Sequence, residues 1–173
     1  MNKRLHDPSQ IICLDIEASG LGTRSYPIEI AWKQLDGMDE DDFLIDPRTG
    51  YNWNDWDDSA ANVHGLTQAE LYEEGISAKE AATRLNQRLK GKQVYSDAFE
   101  FDYFWISRLF DAAMVRPQFR LLGLEELLNE DDLELYQQLS TQSPRLHRAM
   151  PDVEDLIRSI EPFVLPRQKK ALM

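Results

Sequence analysis

The stretch IICLDIEASG, residues 11–20, begins with an apolar run and then sets two acids, Asp15 and Glu17, one residue apart before a glycine turn. An Ile-rich run of this length, stopped by the glycines of SGLG, reads as a strand. Successive strand side chains point to opposite faces, so Asp15 and Glu17 share a face with their carboxylates only several ångströms apart. Burial and a like-charged neighbour both disfavour ionisation, and the pair therefore calls for a cation. A divalent metal such as Mg²⁺, which takes carboxylate oxygens and keeps some of its water, meets that need. A solvated strand edge is the ordinary alternative for a DxE pair in a chain with 31 acids.

Outward from this strand, PIEIAWKQL and DDFLIDP read as two more, so that residues 10–47 resemble an antiparallel meander, with Pro27 and Pro47 tolerated at edges. The run DEDD, 39–42, reads as a wet loop between strands. Residues 52–74, with Trp53, Trp56 and VHGLT, read as short helices and turns. A clear helix follows in ISAKEAATRLNQRLKG, where Ser77 and Glu80 form a capping box, Ala81, Leu85 and Leu89 keep period, and Gly91 ends it. VYS is a short strand. A helix begun by Asp97, with Glu100 at the capping-box distance, runs to about Met114, and QFRLL supplies a fifth strand. Residues 124–163 read as helical with breaks near Ser143-Pro144 and near Pro151, since an interior proline costs ~3 kcal/mol. Strands first, then alternating helices and strands, is the layout of an α/β or α+β layered domain with one mixed sheet. It occupies residues 10–165, between a flexible polar tail (1–9) and a basic tail (166–173).

The net charge of −12 repels polyanions from most of the surface. A local site remains open if metal ions or a few arginines reverse the sign there, because screening confines distant charges to about 10 Å. Arg84, Arg88, Lys90 and Lys92 form the densest basic segment, which reads as a solvated helix face or as a contact for a phosphate backbone. Cys13 is the single cysteine, which points to a reducing compartment. The N-terminus lacks a signal-peptide core, and no run approaches the roughly 18 apolar residues of a membrane span. The expected location is the cytoplasm.

Two further acids sit where acids are costly. On the fourth helix Phe99, Ile106, Leu109 and Ala113 form one stripe with Asp102 at its centre, so Asp102 faces the core and needs a partner. Asp97 lies off that stripe and reads as an N-cap. In LHRAMPDVEDL, Pro151 fits the first helical turn, and Val153, Leu156, Ile157 and Ile160 make an apolar face flanked by Asp152. His147 lies five residues earlier; on one helix the two would diverge by about 140°, so the histidine comes from the preceding turn. His64, in VHGLT, reads as a turn residue that could touch a ligand, and His6 belongs to the tail. The SGLG turn lacks the spacing and the lysine of a phosphate loop.

Taken together, DIE, then FD within a helix, then His followed by Asp five residues on, resemble the DEDDh 3′–5′ exonucleases, the DnaQ-like enzymes of the RNase H-like fold. The resemblance spans residues 11 to about 160 and includes HGLT, where many relatives have HGIT. One departure stands out: relatives often carry HNAxFD, whereas YSDAFEFD has Ser96 and Asp97 and an extra residue before Phe101. Asp102 is favoured by the FD match and the helical stripe, with Asp97 as its rival.

The resemblance implies a three-layer domain with a mixed five-stranded sheet flanked by helices, and two bound Mg²⁺ or Mn²⁺ ions. Asp15, Glu17 and Asp152 would hold one ion, and Asp15 and Asp102 the second. The first would lower the pKa of the attacking water, His147 would accept its proton, and the second would stabilise the leaving 3′ oxygen. Backbone at Ala18 and Ser19 would meet the terminal 3′ hydroxyl, Leu21 would wedge against the last base, and His64 would contact substrate. The implied partners are 3′ ends of short or single-stranded DNA or RNA, released as nucleoside 5′-monophosphates. The alternative is a domain of this fold that has lost activity and serves as a nucleic-acid-binding or partner-docking module. A homodimer, or docking to a larger complex, stays open.

Overall fold

The computed structural model describes residues 6–142 and 145–165. Residues 1–5 of the tail expected over 1–9, the basic tail expected over 166–173, and the break expected at Ser143-Pro144 lie outside those residues. The described chain starts with Asp7 accepting from the backbone N–H of Ser9 to cap a 3-10 turn at Pro8–Gln10, so the last part of the expected tail is ordered.

Three strands, β1 (Ile12–Ala18), β2 (Pro27–Gln34) and β3 (Glu40–Leu44), form the antiparallel meander. Two short helices, α1 (Asp58–His64) and α2 (Gln68–Glu74), lead to α3 (Ala78–Leu89), which crosses back to β4 (Gln93–Ser96). Helix α4 (Phe99–Ala113) then returns the chain to β5 (Arg120–Gly123), and α5 (Glu130–Ser140) and α6 (Ala149–Val164) complete it. The sheet order is β3-β2-β1-β4-β5, with β4 parallel to both β1 and β5.

Strand alternation divides the core into two halves. Ile12, Leu14 and Ile16 join Ile28, Ile30 and Trp32 beneath α3 and α4, which contribute Leu85, Leu89, Ile106 and Leu109. On the other face, Ile11, Cys13 and Ala31 meet Val153, Leu156, Ile157 and Ile160 of α6 and Tyr136 of α5. Each such Leu or Ile contributes about 1.5–3 kcal/mol when buried, so both faces are firmly covered and the domain is three layers deep. Cys13, Asp15 and Glu17 therefore all point toward the α5–α6 layer.

Several local expectations change. Glu40, Asp41 and Asp42 are strand residues of β3, not loop, because Arg84 of α3 holds Asp41 through two hydrogen bonds of 2.7 and 2.5 Å and Arg88 holds Asp39. Two of the four residues of the basic segment are thereby engaged: Arg84 and Arg88 lie over the rings of Phe43 and Trp32 and tie α3 to the sheet edge. Ser77 caps α3 by accepting from Glu80 N, while a reciprocal capping box forms at Thr67 and Glu70 of α2. Pro47 leads a 3-10 turn, Pro47–Thr49, and Pro27 starts an interior strand at a bulge. As expected, Pro151 sits in the first turn of the last helix, where the missing N–H costs nothing.

Candidate active site

The site is built at the end of β1, beneath the loop that enters α6. Asp15 is 6 % exposed and Asp102 1 %, and the ligand atoms of Glu17, His147 and Asp152 all lie within 4.8 Å of one another. The alternation of β1 delivers Asp15 and Glu17, the first turns of α4 and α6 deliver Asp102 and Asp152, and the loop before α6 delivers His147. His147 holds a left-handed backbone, with φ of 53°, which is uncommon for a residue with a side chain and turns the ring off the helix it precedes.

The electrostatics are those of crowded acids. Burial first, then Asp102, Glu17, Asp97 and Asp152, push the Asp15 carboxyl well above the usual carboxylate range. Burial, Asp152 and Glu29 push Glu17 up to about 7. Asp102 is raised by burial against the pull of a hydrogen bond from Ser96 Oγ, and Asp152 is raised by burial against Arg145. Among the described residues, Asp15 Oδ2 and Asp152 Oδ2 are buried without a hydrogen-bond partner. A buried carboxylate oxygen left unsatisfied is costly, and hard oxygen donors of this kind are what Mg²⁺ or Mn²⁺ takes. The residues thus fit divalent cations on their own chemistry.

Other side chains, not singled out from the sequence, hold this arrangement. Glu29 pairs with Glu17 in the β1–β2 register and is itself buried. It accepts three hydrogen bonds from the Arg148 guanidinium and one of 3.0 Å from the N–H of Ala149, the first residue of α6, two residues after His147. Its signal was an acid inside the apolar run IEIA. Ala98, not Asp97, holds the N-cap position and α4 has no side-chain cap, while Ser96 Oγ accepts from Ala98 N just ahead of the helix. Asp97 instead accepts from Tyr136 OH at 3.1 Å and from Arg145.

The remaining candidates separate. Leu21 is 73 % exposed on the β1–β2 turn. Ser19 is fully buried, with its N–H donating to Tyr26 O and its carbonyl accepting from Asp57 N, so it knits that turn together. Ala18, also buried, ends β1 at the bulge. His64 closes α1, where Gly65 takes the left-handed conformation at φ 73°. Its Nδ1 accepts from Leu66 N at 3.0 Å, so the neutral ring carries its proton on Nε2, a buried donor with no partner among the described residues. Burial lowers the pKa of His64 and keeps it neutral.

No protein-family profile matches the chain, and no curated protein does. Solved structures do match. A zinc-bound complex of E. coli exonuclease I with single-stranded DNA superposes with a TM-score of 0.68 at 15% identity, covering 88% of this chain and 40% of that one. A complex of the same enzyme with a dA16 oligonucleotide gives 0.68 at 15% identity, covering 88% and 41%. Exonuclease I from Methylocaldum szegediense gives 0.66 at 18% identity, covering 92% and 41%. The chain has the fold of these exonucleases, a mixed five-stranded sheet flanked by helices, and spans about two fifths of their length.

Proposed function

We propose that this chain is a divalent-metal-dependent 3′–5′ exonuclease acting on short or single-stranded nucleic-acid ends. The observation that carries the reading is the joining of Glu17, His147 and Asp152 within 4.8 Å, with the buried Oδ2 atoms of Asp15 and Asp152 unsatisfied among the described residues. The likeness to enzymes whose structures hold single-stranded DNA supports the substrate class.

Asp15, Glu17 and Asp152 would hold one Mg²⁺ or Mn²⁺, and Asp15 with Asp102 a second. When bound, the ions supply charge stabilisation for a phosphoryl centre and lower the pKa of water. The rest falls to the protein. His147, facing Glu17 and Asp152 from its strained turn, accepts the proton of the water that attacks phosphorus. As that P–O bond forms, the bond to the 3′ oxygen of the penultimate nucleotide breaks and a nucleoside 5′-monophosphate leaves. Glu29 fixes the entry of α6 through Arg148 and Ala149 and so holds His147 against the carboxylates. Ser96 orients Asp102. Leu21, an exposed apolar side chain on the turn after the acids, wedges against the terminal base, with Ala18 and Ser19 shaping that turn for the 3′ hydroxyl. The Nε2–H of His64 is a free donor for the terminal nucleotide.

The test is digestion of 5′-labelled single- and double-stranded DNA and RNA with Mg²⁺ or Mn²⁺. A ladder shortening by single nucleotides, with 5′-monophosphates released, is expected for the wild type and lost in Asp15→Asn and Asp102→Ala. Unchanged ladders in both variants refute the assignment. Calorimetry with Mg²⁺ separates an inactive binding module that holds no metal.

A further inference from the structure

The chain must bring a polyanion to a pocket of buried acids while carrying a net charge of −12. Two arginines reach that pocket from the loop that carries His147, and they are held differently. Arg148 is committed to Glu29 through three hydrogen bonds. Arg145, two residues before His147, is bound on one side only. One of its terminal nitrogens bonds Asp97 Oδ2, and the other lies 4.0 Å from Asp15 Oδ1, too far for a hydrogen bond. Its side chain is 41 % exposed, while Asp97 is 8 % exposed beneath it. The anchor is braced in turn, since Tyr136 OH on α5 donates to the same Asp97 oxygen. A guanidinium offers five donors in a rigid fork, so Arg145 is an aimed cation with donors to spare beside the Asp15 carboxylate.

We infer that Arg145 is a phosphate-binding residue for the nucleic-acid strand, and that Asp97, braced by Tyr136, is its positioning residue, not a metal ligand. This rests on the exonuclease reading and adds what the acids cannot do, which is to attract the strand before the chemistry. In water-exposed geometry a guanidinium–phosphate fork gives both charge and direction, and Arg145 places positive charge where the scissile group arrives.

Equilibrium binding and turnover test this together. Fluorescence anisotropy of a 5′-labelled single-stranded oligonucleotide, across a salt series, reads Arg145 without requiring cleavage. For Arg145→Ala we expect about tenfold weaker binding and a log K against log salt slope shallower by about 0.7, the value of one phosphate contact on a single strand. The KM should rise by a similar factor with a smaller change in kcat, and Mg²⁺ affinity by calorimetry should stay at the wild-type value. Arg145→Lys should restore the salt slope but only part of the affinity. Asp97→Asn should follow Arg145→Ala in KM while sparing Mg²⁺ binding.

Unchanged salt slope with tighter Mg²⁺ binding in Arg145→Ala would overturn the proposal and make Arg145 a counter-ion standing at the metal position. Loss of Mg²⁺ affinity in Asp97→Asn equal to that in Asp102→Asn would return Asp97 to the metal set. A wild type that binds the oligonucleotide with the expected slope but never cleaves it defeats the exonuclease reading and leaves the Arg145 assignment standing; a wild type that does not bind defeats the assignment.

Discussion

Two acidic segments of the same sheet have opposite fates. At the β3 edge Asp39 is paired with Arg88, Glu40 with Lys33 and Asp41 with Arg84, the last through a two-pronged hydrogen bond. At the end of β1, Asp15 and Glu17 face Asp102 and Asp152, and carboxylate oxygens stay buried and unpaired. The edge acids contribute stability in the ordinary way of partly exposed ion pairs. The central acids oppose folding until something positive joins them, which is the mark of a site kept at a cost for a ligand. Charge count separates neither segment; what lies across from each does.

The sharpest way to break this contrast is Asp15→Asn. Exonuclease turnover should fall on the order of 10³-fold, while the metal-free protein gains thermal stability because a buried like charge is gone. Loss of stability in the metal-free variant would mean that Asp15 is a structural acid like those of β3. His147→Ala comes next: turnover should drop about 10²-fold or more, the usual range for a general base, with Mg²⁺ affinity by calorimetry kept. Equal loss of both would make His147 a ligand.

The pH dependence sharpens the comparison without mutation. Glu17 has a folded pKa of about 7 against a reference of 4.5, so between these values the folded state binds more protons than the unfolded state. Stability from this group is full below about pH 4.5 and is lost as pH rises toward 7. The raised values of Asp15, Asp102 and Asp152 act with the same sign. Denaturation midpoints of the chelated protein should therefore fall from pH 5 to pH 7.5, and saturating Mg²⁺ should flatten that slope, adding about 2.7 kcal/mol at a hundredfold excess over Kd. A slope unaffected by Mg²⁺ contradicts a metal site. The smallest effect is expected for Asp41→Asn, which should cost about 1 kcal/mol of stability by urea titration and leave the cleavage ladder as in the wild type. A comparable loss of cleavage there would erase the distinction between the two segments.

The strands and helices were largely legible because each follows its own period. Alternation placed Asp15 and Glu17 on one face, helical spacing placed Asp102 in the buried stripe of α4, and the proline of α6 marked a start. Asp97 shows where that reasoning stops. Its sequence context supports a cap, yet Tyr136 and Arg145, 39 and 48 residues away, draw its carboxylate aside and Ala98 takes the N-cap position with no side-chain cap. The DEDD run shows the same limit, since its strand character depends on arginines 43 and 49 residues distant.

Glu29 and Arg148 are 119 residues apart, and no local pattern joins them. By itself, then, the sequence determined which way each side chain leaves its own element, because backbone geometry repeats every two or 3.6 residues. Only the tertiary structure decided which acid meets an arginine and which meets another acid, because those distances follow from how separate layers pack. That pairing turns one set of carboxylates into an edge clasp and the other into a candidate metal centre.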